Sequence, residues 1–171
     1  METYRFRRAG VSNGLQEIVR SAVINRRLII PVEGNCMEGA GIEDGGRVAV
    51  DFTHYPRPGH WENGVHMRGD PCLCWATPPG ELRSSLLCKV YDGVWYGHMV
   101  STCYRQEEGK PFRMNGGFRA DLILGVVYAS WSRDGRLLWE RDPESFPDTL
   151  PARVAMQGGN TGTGYVMEVA E

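Results

Sequence analysis

A mainly β fold is what this sequence predicts: twisted, partly barrel-like antiparallel sheets, with one short helix ahead of them. Three observations carry the prediction. The apolar runs are short and rich in Val, Ile and aromatic residues. Twenty-two Gly and ten Pro among 171 residues punctuate those runs, which disfavours a helical protein. Asp92-Gly93 and Asp134-Gly135 fall between such runs, where hairpin turns belong.

Taken in order, the elements begin with the helix. Ser12 or Asn13 can cap Leu15 to Ile24, and Leu15, Ile18, Val19 and Ala22 then share one face. The strands follow as Leu28–Val32, Arg47–Asp51, Pro71–Ala76, Ser85–Tyr91, Val94–Val100, Leu122–Ala129 and Arg136–Trp139. Residues 53–70, with His54, His60 and His66, read as a long loop or excursion. From Arg141 onward the pattern weakens, and Gly158-Gly159-Asn160-Thr161-Gly162-Thr163-Gly164 is flexible in composition. The expected organisation is a basic arm with a helix over 1–27, a body over 28–140 and an appendage over 141–171.

Composition bounds the function. Hydrophobic content of 42% and charged content of 23% are ordinary for a globular chain, and 171 residues suit one domain. A net charge of −2 argues against electrostatic nucleic-acid binding by the whole molecule. The arm is locally basic, with Arg5, Arg7, Arg8, Arg20, Arg26 and Arg27 against Glu2 and Glu17. The five cysteines, 36, 72, 74, 88 and 103, form no CxxC pair, which fits reduced thiols in a cytoplasmic protein. No apolar run is long enough to span a bilayer, and no signal core opens the chain, so no membrane partner is expected. His54, His60 and His66 lack the close pairing of zinc ligands, so neither a metal nor a cofactor is expected. Trp61, Trp75, Trp95, Trp131 and Trp139 fit strand cores or a peptide groove.

One residue stands apart. Lys89 and Lys110 are the chain's two lysines; the other seventeen cationic residues are Arg. Lys110 lies in a polar stretch, but Lys89 lies inside Ser85-Leu86-Leu87-Cys88-Lys89-Val90-Tyr91, a run that reads as a mostly buried strand. A cation is costly to bury there. Arg keeps its proton in proteins, whereas a desolvated Lys can give it up and act as a general base. The alternative for Lys89 is a strand-edge side chain whose ammonium reaches water.

The run Val32-Glu33-Gly34-Asn35-Cys36-Met37-Glu38-Gly39-Ala40-Gly41-Ile42-Glu43-Asp44-Gly45-Gly46-Arg47-Val48-Ala49-Val50-Asp51 gives Lys89 a counterpart. It resembles the nucleophile segment of the LexA-like serine–lysine peptidases, which share a fold with signal peptidases. Their pattern is Gly-Asp-Ser-Met-x-Pro, a Gly-Ile-x-Asp-Gly-Asp turn and an apolar strand ending in Asp. Gly34, Met37, Gly41, Ile42, Asp44, Gly45, Val48, Val50 and Asp51 match it. The family's lysine strand is matched by Leu86 to Gly93, and its later Gly-x-Val strand by Gly125-Val126-Val127. The likeness spans about Leu28 to Trp131.

The chain departs from that pattern at three places. Cys36 stands at the nucleophilic serine, Asn35 at an Asp and Gly39 at a Pro. The separation of Cys36 and Lys89, 89 − 36 = 53 residues, is longer than the family leads one to expect, and the excursion at 53–70 absorbs the surplus as loop.

The resemblance implies a LexA-like, partly barrel-shaped fold with Cys36 as nucleophile and Lys89 as general base. The turn of Gly34, Asn35 and Met37 would supply oxyanion donors. Two functions stay open. One is a Cys–Lys autopeptidase or peptide hydrolase of weak activity, because sulfur keeps a nucleophile but changes bond lengths and oxyanion position. The other is a silent module of the same fold that binds peptides or dimerises, in a prokaryotic or phage repressor or stress-response (SOS-type) system. The expected partner is a peptide or protein segment, the chain's own arm included. Ala9-Gly10 is a family-type bond 36 − 10 = 26 residues ahead of Cys36. A homodimer is compatible, and direct DNA binding is disfavoured because about 27 residues ahead of the body are too few for a helix-turn-helix domain.

Overall fold

The computed structural model describes residues 25–93, 98–101, 104–105, 113–114 and 117–148. The expected helix over Leu15–Ile24, the Ala9-Gly10 bond, most of the basic arm and the segment from 149 onward lie outside the described residues, as do Val94 to Gly97 of one expected strand. What is described is mainly β and antiparallel. The strands are β1 (Arg27–Pro31), β2 (Arg47–Asp51), β3 (His60–Glu62), β4 (Val65–Met67), β5 (Pro71–Ala76), β6 (Ser85–Gly93), β7 (His98–Ser101), β8 (Tyr104–Arg105), β9 (Arg113–Met114), β10 (Gly117–Trp131) and β11 (Leu137–Glu140).

β10 organises the main sheet because its fifteen residues serve different partners on both edges. Ala120 pairs with Ala76 of β5 and with His98 of β7. Val126 pairs with Cys72 of β5 and with Asp51 of β2. Ala129 pairs with Ala49 of β2 and with Glu140 of β11. One end of β10 therefore closes a circuit through β5, β6 and β7, and the other end carries the β2–β1 hairpin. Gly125 permits the crossover from one set of partners to the next: a Cβ there would lie 2.5 Å from the Asp51 carbonyl oxygen.

Both faces of the central strands are buried, so they read as apolar runs rather than alternating ones. Val48 and Val50 of β2 join a core with Leu28, Ile30, Met37, Ile42, Leu73, Val90 and Val127. Ala49 between them faces Val126, Tyr128 and Phe146 on the other side. A third cluster, with Cys72, Cys74, Tyr91, Val100 and Ile123, fills the β5–β6–β7–β10 circuit.

Three local readings change. Residues 53–70 are not all loop, since they contain the β3–β4 hairpin. Asn63 (φ 51°) and Gly64 (φ 79°) form its turn, an Asn-Gly pair with both residues left-handed, as two-residue hairpins favour. Asp92-Gly93 is not the turn between β6 and β7, because Gly93 still pairs with Met99 and belongs to β6. Packed chain also continues past Glu140. The Arg141 N–H donates to the Tyr128 carbonyl at 2.7 Å, a 3-10 turn spans Pro143–Ser145, and Phe146 is buried.

The excursion is clamped at its base against β6. The Gly59 N–H donates to the Tyr91 carbonyl (2.9 Å), and the Tyr91 N–H donates to the Asp70 carbonyl (3.0 Å). Gly69 lies so close that a Cβ would meet the Tyr91 oxygen at 1.8 Å. The buried Asp70 carboxylate accepts from the Arg57 Nε (2.9 Å) and the Arg141 Nη1 (2.9 Å), tying the excursion to the chain after β11.

A second buried carboxylate holds the other end. Asp51, with no exposed surface, accepts from the Arg27 Nε (2.7 Å), the Thr53 N–H (2.8 Å) and the Thr53 hydroxyl (2.6 Å). His54 Nδ1 lies 3.1 Å from the same carboxylate. Burial pushes the Asp51 carboxyl up, but the bonds from Thr53, Arg27 and His54 together hold it below the ordinary carboxylate range. A carboxylate held low adds stability that is present above the unfolded-chain value, about pH 4, and lost as pH falls through the lower folded value. Asp51→Asn is therefore expected to lower neutral-pH stability by about 3 kcal/mol, since it leaves the buried partners uncompensated. Urea melts from neutral to acid pH should also show a shallower acid loss in the variant than in the parent. Identical acid dependence in the two would contradict this role.

Candidate active site

The loop between β1 and β2 carries Cys36. Its ends are fastened to each other: the Val32 N–H donates to the Gly46 carbonyl and the Gly45 N–H to the Val32 carbonyl, both at 3.0 Å. Gly34, at φ +93°, turns the chain, and its N–H donates to Asp44 Oδ1 at 2.7 Å. After Cys36, Met37 and Ile42 are buried in the core. The Met37 carbonyl accepts from Ala40 (2.9 Å) and Ile42 (3.2 Å), folding Glu38–Ala40 into a 3-10 turn. Gly41 ends that turn in the left-handed region, at φ 71°. Cys36 is thus held between a bonded Gly34 and a core-anchored Met37, and its side chain is half-buried.

Lys89 comes from β6, where it pairs with Cys72 of β5 and precedes the fully buried Val90. It is 8% exposed. Its Nζ lies 2.8 Å from Cys36 Sγ, although 53 residues separate them. The two candidate catalytic side chains therefore meet, a nucleophile and a base within direct proton-transfer reach.

The expected turn donors divide. The Gly34 N–H is committed to Asp44, so it is not positioned for an oxyanion. Among the described residues, the Cys36 and Met37 N–H groups donate to no backbone carbonyl. They are the donors nearest the sulfur in sequence. Asn35 contributes its carbonyl, which accepts from the Glu38 N–H at 3.4 Å.

The other described thiols sit within β5 and β6. All four described cysteines are free. Cys72 and Cys74 are fully buried, and burial, reinforced by Cys74, holds the Cys72 thiol well above its ordinary value. Burial, with nearby Cys74, pushes the Cys88 thiol up to about 12.

The three histidines scatter rather than converge. His54 sits on Asp51, His60 reaches Glu62 at 4.0 Å, and the His66 ring stacks edge-on with Trp61 at 5.2 Å. Among the described residues no group of three His, Cys, Asp or Glu is placed to hold a metal ion, and no helix is long and apolar enough to cross a membrane. Sequence reading missed the contacts of Arg27, Arg57 and Arg141 with Asp51 and Asp70; among seventeen arginines, spacing gives no sign of which pair across the fold.

Comparison of the chain with protein-family models, curated proteins and solved structures returns no match.

Reactivity follows from these surroundings. Iodoacetamide at neutral pH is expected to label Cys36 ahead of Cys72, Cys74 and Cys88, read by peptide mass mapping. Lys89→Ala should slow Cys36 labelling by about an order of magnitude, because it removes the group that takes or balances the thiol proton. Equal labelling with and without Lys89 would show that the contact does not activate the sulfur.

Proposed function

We propose that the chain is a LexA-like, peptidase-type domain whose Cys36–Lys89 dyad acts on a peptide segment. The observation that supports it best is the 2.8 Å contact between a half-buried thiol and a buried lysine. The ordered likeness of residues 32–51 and 86–93 to the family's two motifs supports it independently. Domain limits of about 28 to 140, with the arm and the chain after 140 as attachments, belong to the same reading.

The chemistry is acyl transfer. Sγ attacks the scissile carbonyl and its proton passes to Lys89 Nζ, forming the C–S bond and an oxyanion. The Cys36 and Met37 N–H groups are the candidate donors to that oxyanion. The Lys89 ammonium then protonates the leaving amine as the C–N bond breaks, which leaves a thioester. Lys89 next takes a proton from water as the water attacks, the C–S bond breaks, and the proton returns to sulfur. Beside the dyad, β6 pairs with β5 from Ser85 onward but with β7 only from Tyr91. Among the described residues no strand pairs with the other edge of Ser85–Lys89. An extended peptide can add there by strand pairing. The substrate is a peptide or protein segment, the chain's own Ala9-Gly10 bond among the candidates.

A second reading is a peptide-binding or dimerising module of a repressor or stress-response system, with the same cleft and no turnover. The commitment of the Gly34 donor to Asp44 favours it, since it removes one oxyanion contact. The two readings separate in one experiment. Incubation of the native protein, with mass spectrometry of its own arm and of added peptides, is expected to show slow cleavage or a thioester adduct. Both should disappear in Cys36→Ala. Lys89→Ala should cost about 10²–10⁴-fold, and Lys89→Arg should not restore the loss, because Arg does not take up the proton. Peptide binding with no cleavage and no adduct establishes the second reading. Cleavage that survives Cys36→Ala overturns the first.

A further inference from the structure

Sulfur at position 36 allows a reaction that a serine oxygen there would not undergo. Peroxides oxidise a thiolate to a sulfenic acid, and a neighbouring thiol or nitrogen nucleophile then captures the electrophilic sulfur. Oxidation favours a thiol that is reachable and has a proton acceptor beside it. Cys36 is half-buried rather than sealed, and Lys89 Nζ lies 2.8 Å from its Sγ.

Two groups compete to capture an oxidised Cys36. Cys88 packs against the same core cluster as Cys36, but burial pushes its thiol up to about 12, so it offers little thiolate at neutral pH. The Lys89 amine already touches the sulfur, and at 8% exposure it is largely shielded from water. Closing that contact to a covalent bond needs only a small rotation of the flexible four-carbon lysine stem. Cys72 and Cys74 have no exposed surface and lie within β5.

We propose that Cys36 is a site of reversible modification by peroxide, and that the product is a sulfenamide joining Cys36 Sγ to Lys89 Nζ. Lys89 takes the thiol proton, and the thiolate attacks one peroxide oxygen, forming the S–O bond as the O–O bond breaks. The Lys89 ammonium returns its proton to the departing hydroxide, which leaves as water and restores the neutral amine. Nζ then attacks the sulfenic sulfur. The S–N bond forms, the S–O bond breaks, and the hydroxide leaves as water with one amine proton. The sulfur loses two electrons, and one peroxide is reduced to two waters. A small thiol reverses the product by attacking Sγ, and Nζ leaves with the thiol's proton. A second thiol then frees Cys36 from the mixed disulfide. The cross-link occupies nucleophile and base together and silences the dyad. That consequence rests on the peptide-handling reading, whereas the cross-link rests on the contact alone.

The test treats the full chain with hydrogen peroxide at neutral pH and maps its peptides by mass with fragmentation. The expected product has the native mass less two hydrogens, with residues 28–47 joined to Lys89 and no tryptic cut after Lys89. Dithiothreitol should restore the original mass. The product is expected in Cys88→Ser and absent in Cys36→Ala. Lys89→Arg should instead leave a sulfenic acid that dimedone traps, because a guanidinium supplies no neutral amine. A disulfide from Cys36 to Cys88 or to any other cysteine overturns the inference. So does a native Cys36 that stays unmodified or stops at the sulfenic or sulfinic acid. Peptide cleavage and binding are measured in parallel on reduced, oxidised and re-reduced protein, with loss on oxidation and return on reduction expected. Unchanged activity in the cross-linked protein overturns the silencing. A cross-link that forms while the reduced protein handles no peptide sinks the peptide reading and leaves the modification site standing.

Discussion

A lysine buried beside a thiol is the constraint on which the site depends. An ammonium without a partner is costly in an apolar strand, and a thiol alone is a modest nucleophile. At 2.8 Å each group answers the other's need: the amine gains a hydrogen-bond partner and the sulfur gains a base. Bringing them together requires the two halves of the sheet to be fixed relative to one another. β10 does that, since Val126 holds Asp51 of the Cys36 hairpin on one edge and Cys72, the neighbour of Lys89, on the other. Lys89 is thus two pairings away from Val126, and Cys36 lies in the loop that leads into β2, the strand Val126 holds on its other edge.

The buried carboxylates finish what β10 begins. Asp51 locks Arg27 at the start of β1 to Thr53 and His54 just past β2, and Arg27 and His54 both reach Glu144. Asp70 locks the excursion to Arg141 after β11. Each gathers segments far apart in sequence around one charge. The Cys36 loop itself is closed by backbone bonds and by Met37 and Ile42 in the core, so neither depends on a long flexible side chain.

Much of this was legible in the chain. Runs such as Arg47–Asp51 and Pro71–Ala76 coincide with strands, because strands buried on both faces appear as uninterrupted apolar segments. The isolated Lys89 and the Gly34–Asp51 motif pointed to residues that meet in space. Other features were hidden for physical reasons. Trp61, Val65 and Met67 of the β3–β4 hairpin are exposed, so no burial pattern marks it, and only Asn63-Gly64 signals a turn. Asp92-Gly93 carries a turn signature, yet a register shift between Tyr91 and Gly93 keeps Gly93 paired. Arg27 with Glu144, and Asp70 with Arg141, pair across 117 and 71 residues, and side-chain chemistry alone does not select such partners.

The chain's scarcity of lysine makes the central contact directly observable. Selective isotope labelling of lysine side chains gives signals from Lys89 and Lys110 alone. One of the two ε-methylene signals is expected to move on Cys36→Ala, and again when Cys36 is alkylated in the native protein, while the other stays in place. Two signals that both ignore the loss and the alkylation of Cys36 would contradict the dyad, because the amine would then have no contact with the sulfur.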